Sequence, residues 1–183
     1  FRHETILFLV VIVALVILSI QAEQFATIDN LLNQGRFLTE VSLVALIMTF
    51  VIVTGGIDLS VGSILGLSAI VLGVAWKKLG LPLPLAILVA LSVGTLAGLF
   101  NGIIITRFKV PPLIATLATL ALYRGLAEGI SQARSIRGYP EWFFILGQGE
   151  FFGIPTQLWI VAFFTLLTGF ILTYTTWGRA TYA

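Results

Sequence analysis

The 183 residues contain no cysteine, a single methionine (Met48) and a single histidine (His3). Without cysteine there is no disulfide framework and no thiolate to attack a substrate, and the sequence carries no mark of a redox compartment. His3 has no second histidine or thiol with which to share a metal, so no metal site is expected. Charge is scarce as well. Only 10% of the residues are charged, 58% are hydrophobic, and mean hydropathy is +1.08. A soluble domain carries about 25% charged residues. So few charges cannot cover a water-facing surface, and the chain reads as an all-α integral membrane protein. Its net charge is +2 and its basic residues are scattered, which argues against a nucleic-acid surface.

Catalytic motifs are missing too. No G-x-x-x-x-G-K-[ST] is present, so this chain hydrolyses no nucleotide through a P-loop. Neither G-x-S-x-G nor a Ser/His/Asp set occurs. No catalytic residue and no cofactor is expected, and the remaining chemistry is that of polar groups at membrane depth.

What is present is a series of apolar runs. Thr5–Ile20 carries no charge and reads as a first transmembrane helix, followed by a polar external loop with some helical character over Gln21–Phe37. Leu38–Val53 is a second span and Leu59–Trp76 a third, followed by a turn at Lys77, Lys78, Gly80, Pro82 and Pro84. Leu83–Ile105 has the ~20 residues or more that a bilayer requires. Gly94, Gly98 and Gly102 recur there every four residues, a small-xxx-small row that predicts a helix-packing seam. Leu113–Ile130 is the fifth span, with Arg124 and Glu128 spaced for a salt bridge at its interfacial end or, alternatively, for a pore-lining pair. Ser131–Gly153 is a mixed loop in which Trp142, Phe143, Phe144, Phe151 and Phe152 suggest an interfacial aromatic belt. Ile154–Tyr174 is the sixth span. About six transmembrane helices in one permease-like domain over residues 1–183 are therefore expected.

Loop charges do not orient this bundle. With the N-terminus inside, Arg2, Arg107, Lys109 and Arg179 lie inside, while Arg36, Lys77, Lys78, Arg134 and Arg137 lie outside. Four against five gives no direction.

The stretch Thr54-Gly55-Gly56-Ile57-Asp58-Leu59-Ser60-Val61-Gly62-Ser63 sets a carboxylate and two glycines between two apolar runs. A backbone break at membrane depth is tolerated only inside protein or along a water-filled cavity. Asp58 can cap the third helix, or it can accept hydroxyl groups in a transport path; the two roles are compatible. Gly55 and Gly56 provide positive φ or close approach. Asn101, one position off the glycine row, is suited to an interhelical hydrogen bond or to substrate contact. Thr54 and Ser60 complete the candidate path residues.

The Val53–Ser63 stretch strongly resembles the signature of ribose-type monosaccharide permeases of ATP-binding-cassette importers, whose relatives include rhamnose, xylose and autoinducer-2 permeases. Asn101-Gly102 followed by Lys109-Val110-Pro111-Pro112-Leu113-Ile114-Ala115-Thr116-Leu117 is similar to a second family segment, with Pro112 replacing the usual Phe or Leu. Arg124-Gly125 follows in its usual place. Thr176-Trp177-Gly178-Arg179-Ala180-Thr181-Tyr182-Ala183 resembles the start of a closing motif. The resemblance implies a cobalamin-importer-like type II fold, of which this chain is the N-terminal part, and a permease subunit that moves a monosaccharide or similar polyhydroxylated molecule inward. Its implied partners are ATP-binding-cassette subunits that bind ATP, an extracytoplasmic sugar-binding protein, a second permease subunit and membrane lipid. It further implies the bacterial inner membrane, a cytoplasmic N-terminus, Lys77 and Lys78 outside, and an ATPase-coupling region beginning at Gly178 and Arg179. Rhamnose or autoinducer-2 is the expected substrate on overall resemblance. A proton-coupled sugar carrier using Asp58, Arg124 and Glu128 is the alternative. Sequencing the gene beyond the codon for Ala183 should reveal Ile-Gly-Gly-Asn or a close variant; a stop codon there would contradict the reading of the chain as part of a larger permease.

Overall fold

The computed structural model describes residues 3–182; the Arg2 charge and the Ala183 end of the closing motif lie outside the described residues. The chain is helical apart from short connections. Helix α1 covers His3–Gln21 and buries none of its side chains within the chain, as expected of an apolar helix facing lipid. Helix α2 covers Ile28–Val53. Its start lies inside the stretch Gln21–Phe37 expected as a loop, and the reason is local. The Thr27 hydroxyl accepts from the Asn30 amide at 3.3 Å, an N-cap bond, and the Asn30 side chain donates back to the Phe25 carbonyl at 2.8 Å.

Helix α3 (Val61–Lys77), α4 (Leu83–Arg107) and α5 (Pro112–Ser131) follow. Prolines occupy the first turns of α4 and α5, where a missing N–H costs nothing. The loop expected over Ser131–Gly153 contains structure of its own. Helix α6 (Glu141–Gln148) precedes a two-residue hairpin, β1 (Glu150–Phe151) with β2 (Ile154–Pro155), whose turn residues Phe152 and Gly153 both have positive φ. Helix α7 (Thr156–Tyr174) and the short α8 (Thr176–Thr181) complete the described chain.

Helices α1, α2, α4, α5 and α7 are long and apolar enough to cross a membrane. The third expected span is the short one. At 17 residues α3 reaches about 26 Å, less than the ~30 Å hydrocarbon core. The non-helical residues 54–60 precede it, so the break shortens this span.

The chain parts into two compact units. The first comprises Phe1–Leu43 with Glu141–Thr168. In it, Arg36 pairs with Glu150 at 3.3 Å, Gly35 lies against the Leu158 side chain, and Gln157 donates to the Gly147 carbonyl. The expected belt aromatics gather here: Phe151 and Phe152 meet edge to face at 4.4 Å, and the Trp159 indole donates to the Phe151 carbonyl at 3.2 Å.

The second unit comprises Val44–Pro140 with Gly169–Ala183, and its centre is α3 packed along both α4 and α5. Leu67 of α3, Ala97 of α4 and Tyr123 of α5 form the buried core, with Ile64, Val71, Val93 and Ala127 against it. The glycine row of α4 is only partly used. A side chain at Gly94 would come within 3.0 Å of Ser68 Oγ on α3, which is the close approach the spacing predicts. At Gly98 and Gly102 nothing in the described chain lies within 4 Å of an added Cβ. The buried residues of α4 are Leu83, Ala86, Ala90, Ala97 and Asn101, so its packed face is a row offset from the glycines, and of the three glycines Gly94 meets α3.

Gly178 is buried where α8 turns back on α7. Its amide donates to Thr175 Oγ1 at 3.0 Å, and an added Cβ would collide with the Ile171 carbonyl and with Leu172. Gly178→Ala should therefore destabilise this corner by about 1–3 kcal/mol, the usual cost of overpacking. The expected result is a lower thermal unfolding midpoint of the purified protein in detergent.

Candidate functional site

The predicted break is present and is built from both of its glycines. Residues 54–60 are non-helical. Gly55 adopts φ +76°, which an L side chain rarely reaches, and a Cβ on Gly56 would sit 3.2 Å from the Val51 carbonyl oxygen and side chain. The amides of Thr54, Gly55 and Gly56 return to the carbonyls of Phe50, Ile52 and Val51, and these bonds close the end of α2. Thr54 Oγ1 lies 2.9 Å from the Val51 carbonyl and 3.1 Å from that of Phe50.

Asp58 follows the turn, and its role differs from the cap expected of it. Asp58 Oδ1 accepts from the Ser60 amide at 2.8 Å and from the Ser60 hydroxyl at 2.6 Å. This is an aspartate turn over the residue that begins the helix. The backbone N-cap of α3 is Ser60, and no side chain bonds the first free amides. Asp58 thus fixes the cap residue without itself capping. The physical reason is reach: with Ser60 at the N-cap, Asp58 stands two residues outside the helix, too early for its carboxylate to meet the N2 or N3 amide.

Ser60 passes the connection on to α4. Its hydroxyl donates to Asp58 and accepts from Asn101 Nδ2 at 2.7 Å; Ser60 is fully buried and Asn101 is 3% exposed. Asn101 therefore makes the interhelical bond its position suggests. Tyr123 of α5 donates to the Ala97 carbonyl at 2.9 Å, with Asn101 Oδ1 3.4 Å away. Also from α5, Thr116 bonds back to Pro112 at 2.8 Å and lies 3.3 Å from the Ile57 carbonyl within the break. A carboxylate, a hydroxyl and a carboxamide thus form one hydrogen-bonded chain, and two side chains of α5 close it.

The site lies nearer one end of the bundle than its middle. Asn101 is six residues before Arg107, the last residue of α4 and about 9 Å further along the axis. Asp58 is half-buried and Thr54 and Gly55 are exposed, whereas Ser60 and Asn101 lie behind them. Thr116 and Tyr123 were not legible as members of the site. Thr116 had one signal, a hydroxyl one turn after Pro112 in an otherwise apolar run; Tyr123 had none. Arg124 and Glu128 do not join. They form an exposed i,i+4 pair at 3.1 Å. Gly178 is buried and Arg179 exposed on α8, whose Trp177 ring lies 5.5 Å from that of Phe50 on α2.

Five apolar helices of spanning length among the described residues define a multi-pass membrane protein. Residues 28–183 match the family described as branched-chain amino acid transport system / permease component, and the chain belongs to that family. It is 37% identical over 180 residues to the ribose import permease protein RbsC of Haemophilus influenzae, covering 96% of this chain and 55% of that protein. It is 34% identical over 182 residues to the autoinducer 2 import system permease protein LsrC of Salmonella typhi, covering 100% of this chain and 52% of the relative. The LsrC of Yersinia pestis is 40% identical over 141 residues, 77% of this chain and 40% of its own length. The chain spans about half the length of these curated relatives. No solved structure matches it.

Removing the Ser60 hydroxyl would leave the buried Asn101 amide without its acceptor. Ser60→Ala should cost about 1–3 kcal/mol, and a double-mutant cycle with Asn101→Leu should show the two losses to be strongly non-additive. Thermal unfolding of the four proteins in detergent measures this.

Proposed function

We propose that this chain is the first part of a permease subunit of an ATP-binding-cassette importer that carries a neutral, polyhydroxylated small molecule such as a monosaccharide into a bacterial cell. The observation that carries this reading is the similarity along nearly the whole chain to permeases named for import of ribose and of autoinducer 2, with the Thr54–Ser60 break held to α4 by the buried Ser60–Asn101 bond. The chain does no chemistry on its cargo and needs no cofactor. ATP is bound and hydrolysed on separate cassette subunits, an extracytoplasmic binding protein delivers the cargo, and a second permease subunit, identical or not, completes the path. The protein lies in the inner membrane with its N-terminus cytoplasmic, in one permease domain that continues past Ala183, and Gly178 and Arg179 begin the region that contacts the ATPase.

Within that reading the candidate path residues divide by burial. Thr54, Gly55, Gly56 and Asp58 face the path, where backbone groups and one carboxylate oxygen can pair with cargo hydroxyls. Ser60 and Asn101 are spent on each other and hold the segment from behind. Few fixed charges suit a neutral cargo, since an ionised path would hold or repel ions instead. Rhamnose or autoinducer 2 is the proposed cargo. No observation favours a proton-coupled carrier, whose second element, the Arg124–Glu128 pair, is an exposed surface pair on α5.

Asp58→Ala should leave membrane insertion unchanged and lower uptake of labelled cargo roughly tenfold, the factor that ~1.4 kcal/mol of lost positioning gives. Equal loss of inserted protein and of uptake would assign Asp58 a structural role alone. Uptake by vesicles loaded with ATP and the partner ATPase should persist in the presence of a protonophore.

A further inference from the structure

At the other end of the second unit, away from the break, the C-terminal ends of α3 and α5 enclose a cleft of about 340 Å³. Its lining includes Lys77, Lys78 and Arg134 with Ser131, Gln132 and Ser135, and no carboxylate is among the lining residues. Three cations share one small concavity. The nearest acid on α5, Glu128, is already engaged by Arg124 at 3.1 Å. The C-terminal ends of two helices favour cations, which accounts for basic side chains gathering here.

The cleft is built, not an accident of loose chain. The α5 helix ends by placing both Gln132 and Ala133 in the left-handed region, at φ 54° each, and both amides return to the Glu128 carbonyl. The loop that follows is then pinned to α3 in three ways. Gly73 has no room for a Cβ, which would lie 2.9 Å from the Ile136 side chain and from the Tyr139 hydroxyl. Trp76 stacks on Tyr139 with ring centroids 4.8 Å apart. Lys77 Nζ donates to the Arg137 carbonyl at 2.6 Å. That bond uses one of the three ammonium hydrogens and leaves the charge available. Burial raises the Tyr139 phenol above its ordinary value, so this neighbour stays neutral and adds no anion.

The depth of the cleft identifies its occupant. It begins where the apolar residues of α3 give way to Lys77 and Lys78, and Trp76 and Tyr139 mark the same level. Tryptophan and tyrosine belts lie at the headgroup level of a bilayer, so a basic cleft at this level meets lipid phosphates, here those of the extracytoplasmic leaflet in the proposed topology. We propose that this cleft binds the phosphate of an anionic phospholipid headgroup in the adjoining leaflet, with Lys78 and Arg134 as its principal contacts and Lys77 holding both loop and ligand.

The test compares the full-length permease with its Lys78→Gln/Arg134→Gln variant, which spares the Lys77 clamp, each in nanodiscs and by native mass spectrometry. Phosphatidylglycerol, phosphatidylcholine and inorganic phosphate are the probes. The wild-type protein should retain phosphatidylglycerol over phosphatidylcholine, and the variant should bind it about thirtyfold more weakly, roughly fivefold for each cation removed. Lys109→Gln, on the loop between α4 and α5, should leave retention unchanged. Undiminished retention by the double variant would overturn the proposal, as would protection by inorganic phosphate with none from phosphatidylglycerol. Unchanged lipid retention with lost docking of an acidic partner protein would also overturn it, by reassigning the cleft to that partner.

Discussion

A polypeptide can leave helical geometry inside a membrane only where its freed polar groups meet partners in the protein or water along a cavity, and Asn101 supplies the protein partner that matters most here. Its amide reaches Ser60, whose hydroxyl is shared with Asp58, and through that pair a seven-residue break is fixed to α4. Thr116 approaches the Ile57 carbonyl from α5, and Tyr123 closes the far side against Ala97 and Asn101. The three helices that form the core of the second unit are the same three that satisfy the break. Packing and polar satisfaction are therefore one constraint: Leu67, Ala97 and Tyr123 bring the helices together, and the hydrogen bonds fix the register in which they meet.

This arrangement explains why the segment tolerates a carboxylate. One oxygen of Asp58 is committed to a turn, which gives the charge a fixed geometry, while the group as a whole remains half-buried. A segment supported from behind and open in front is the physical form that a substrate-facing element of a permease needs. The membership of the chain in a permease family supplies the context in which that form has a use.

Much of this was legible in the residues. Hydrophobic runs located the helices because a lipid-facing helix needs little more than length and apolarity, and Asp58 between two such runs marked the break. The start of α2 was missed because Gln21–Phe37 is polar, although Thr27-Ile28-Asp29-Asn30 carries a capping signal. Short elements after α5 were missed because an eight-residue helix and a two-residue hairpin lack a periodic pattern long enough to read. Within the site, Asp58, Ser60 and Asn101 stood out as polar residues at apolar depth. Tyr123 did not, since one tyrosine in the middle of an apolar helical run reads first as ordinary packing. The division of labour among them depends on which oxygen meets which donor, and only the coordinates specify that. Of the glycine row of α4, Gly94 meets α3, while the packed face is set by Ala86, Ala90 and Ala97 beside it.

The central claim is that the front of the Thr54–Ser60 break faces an aqueous path and not lipid. These 183 residues have no cysteine, so in a transporter whose other cysteines are replaced a thiol introduced as Ile57→Cys can be read alone against one at Leu88→Cys on the exposed face of α4. The direct measurement is labelling of each by a membrane-impermeant maleimide in the assembled transporter, with and without ATP. The account predicts that the thiol at 57 is labelled, at a rate that changes on ATP addition, and that the thiol at 88 is not. A thiol at 57 as unreactive as that at 88 in both states would contradict it.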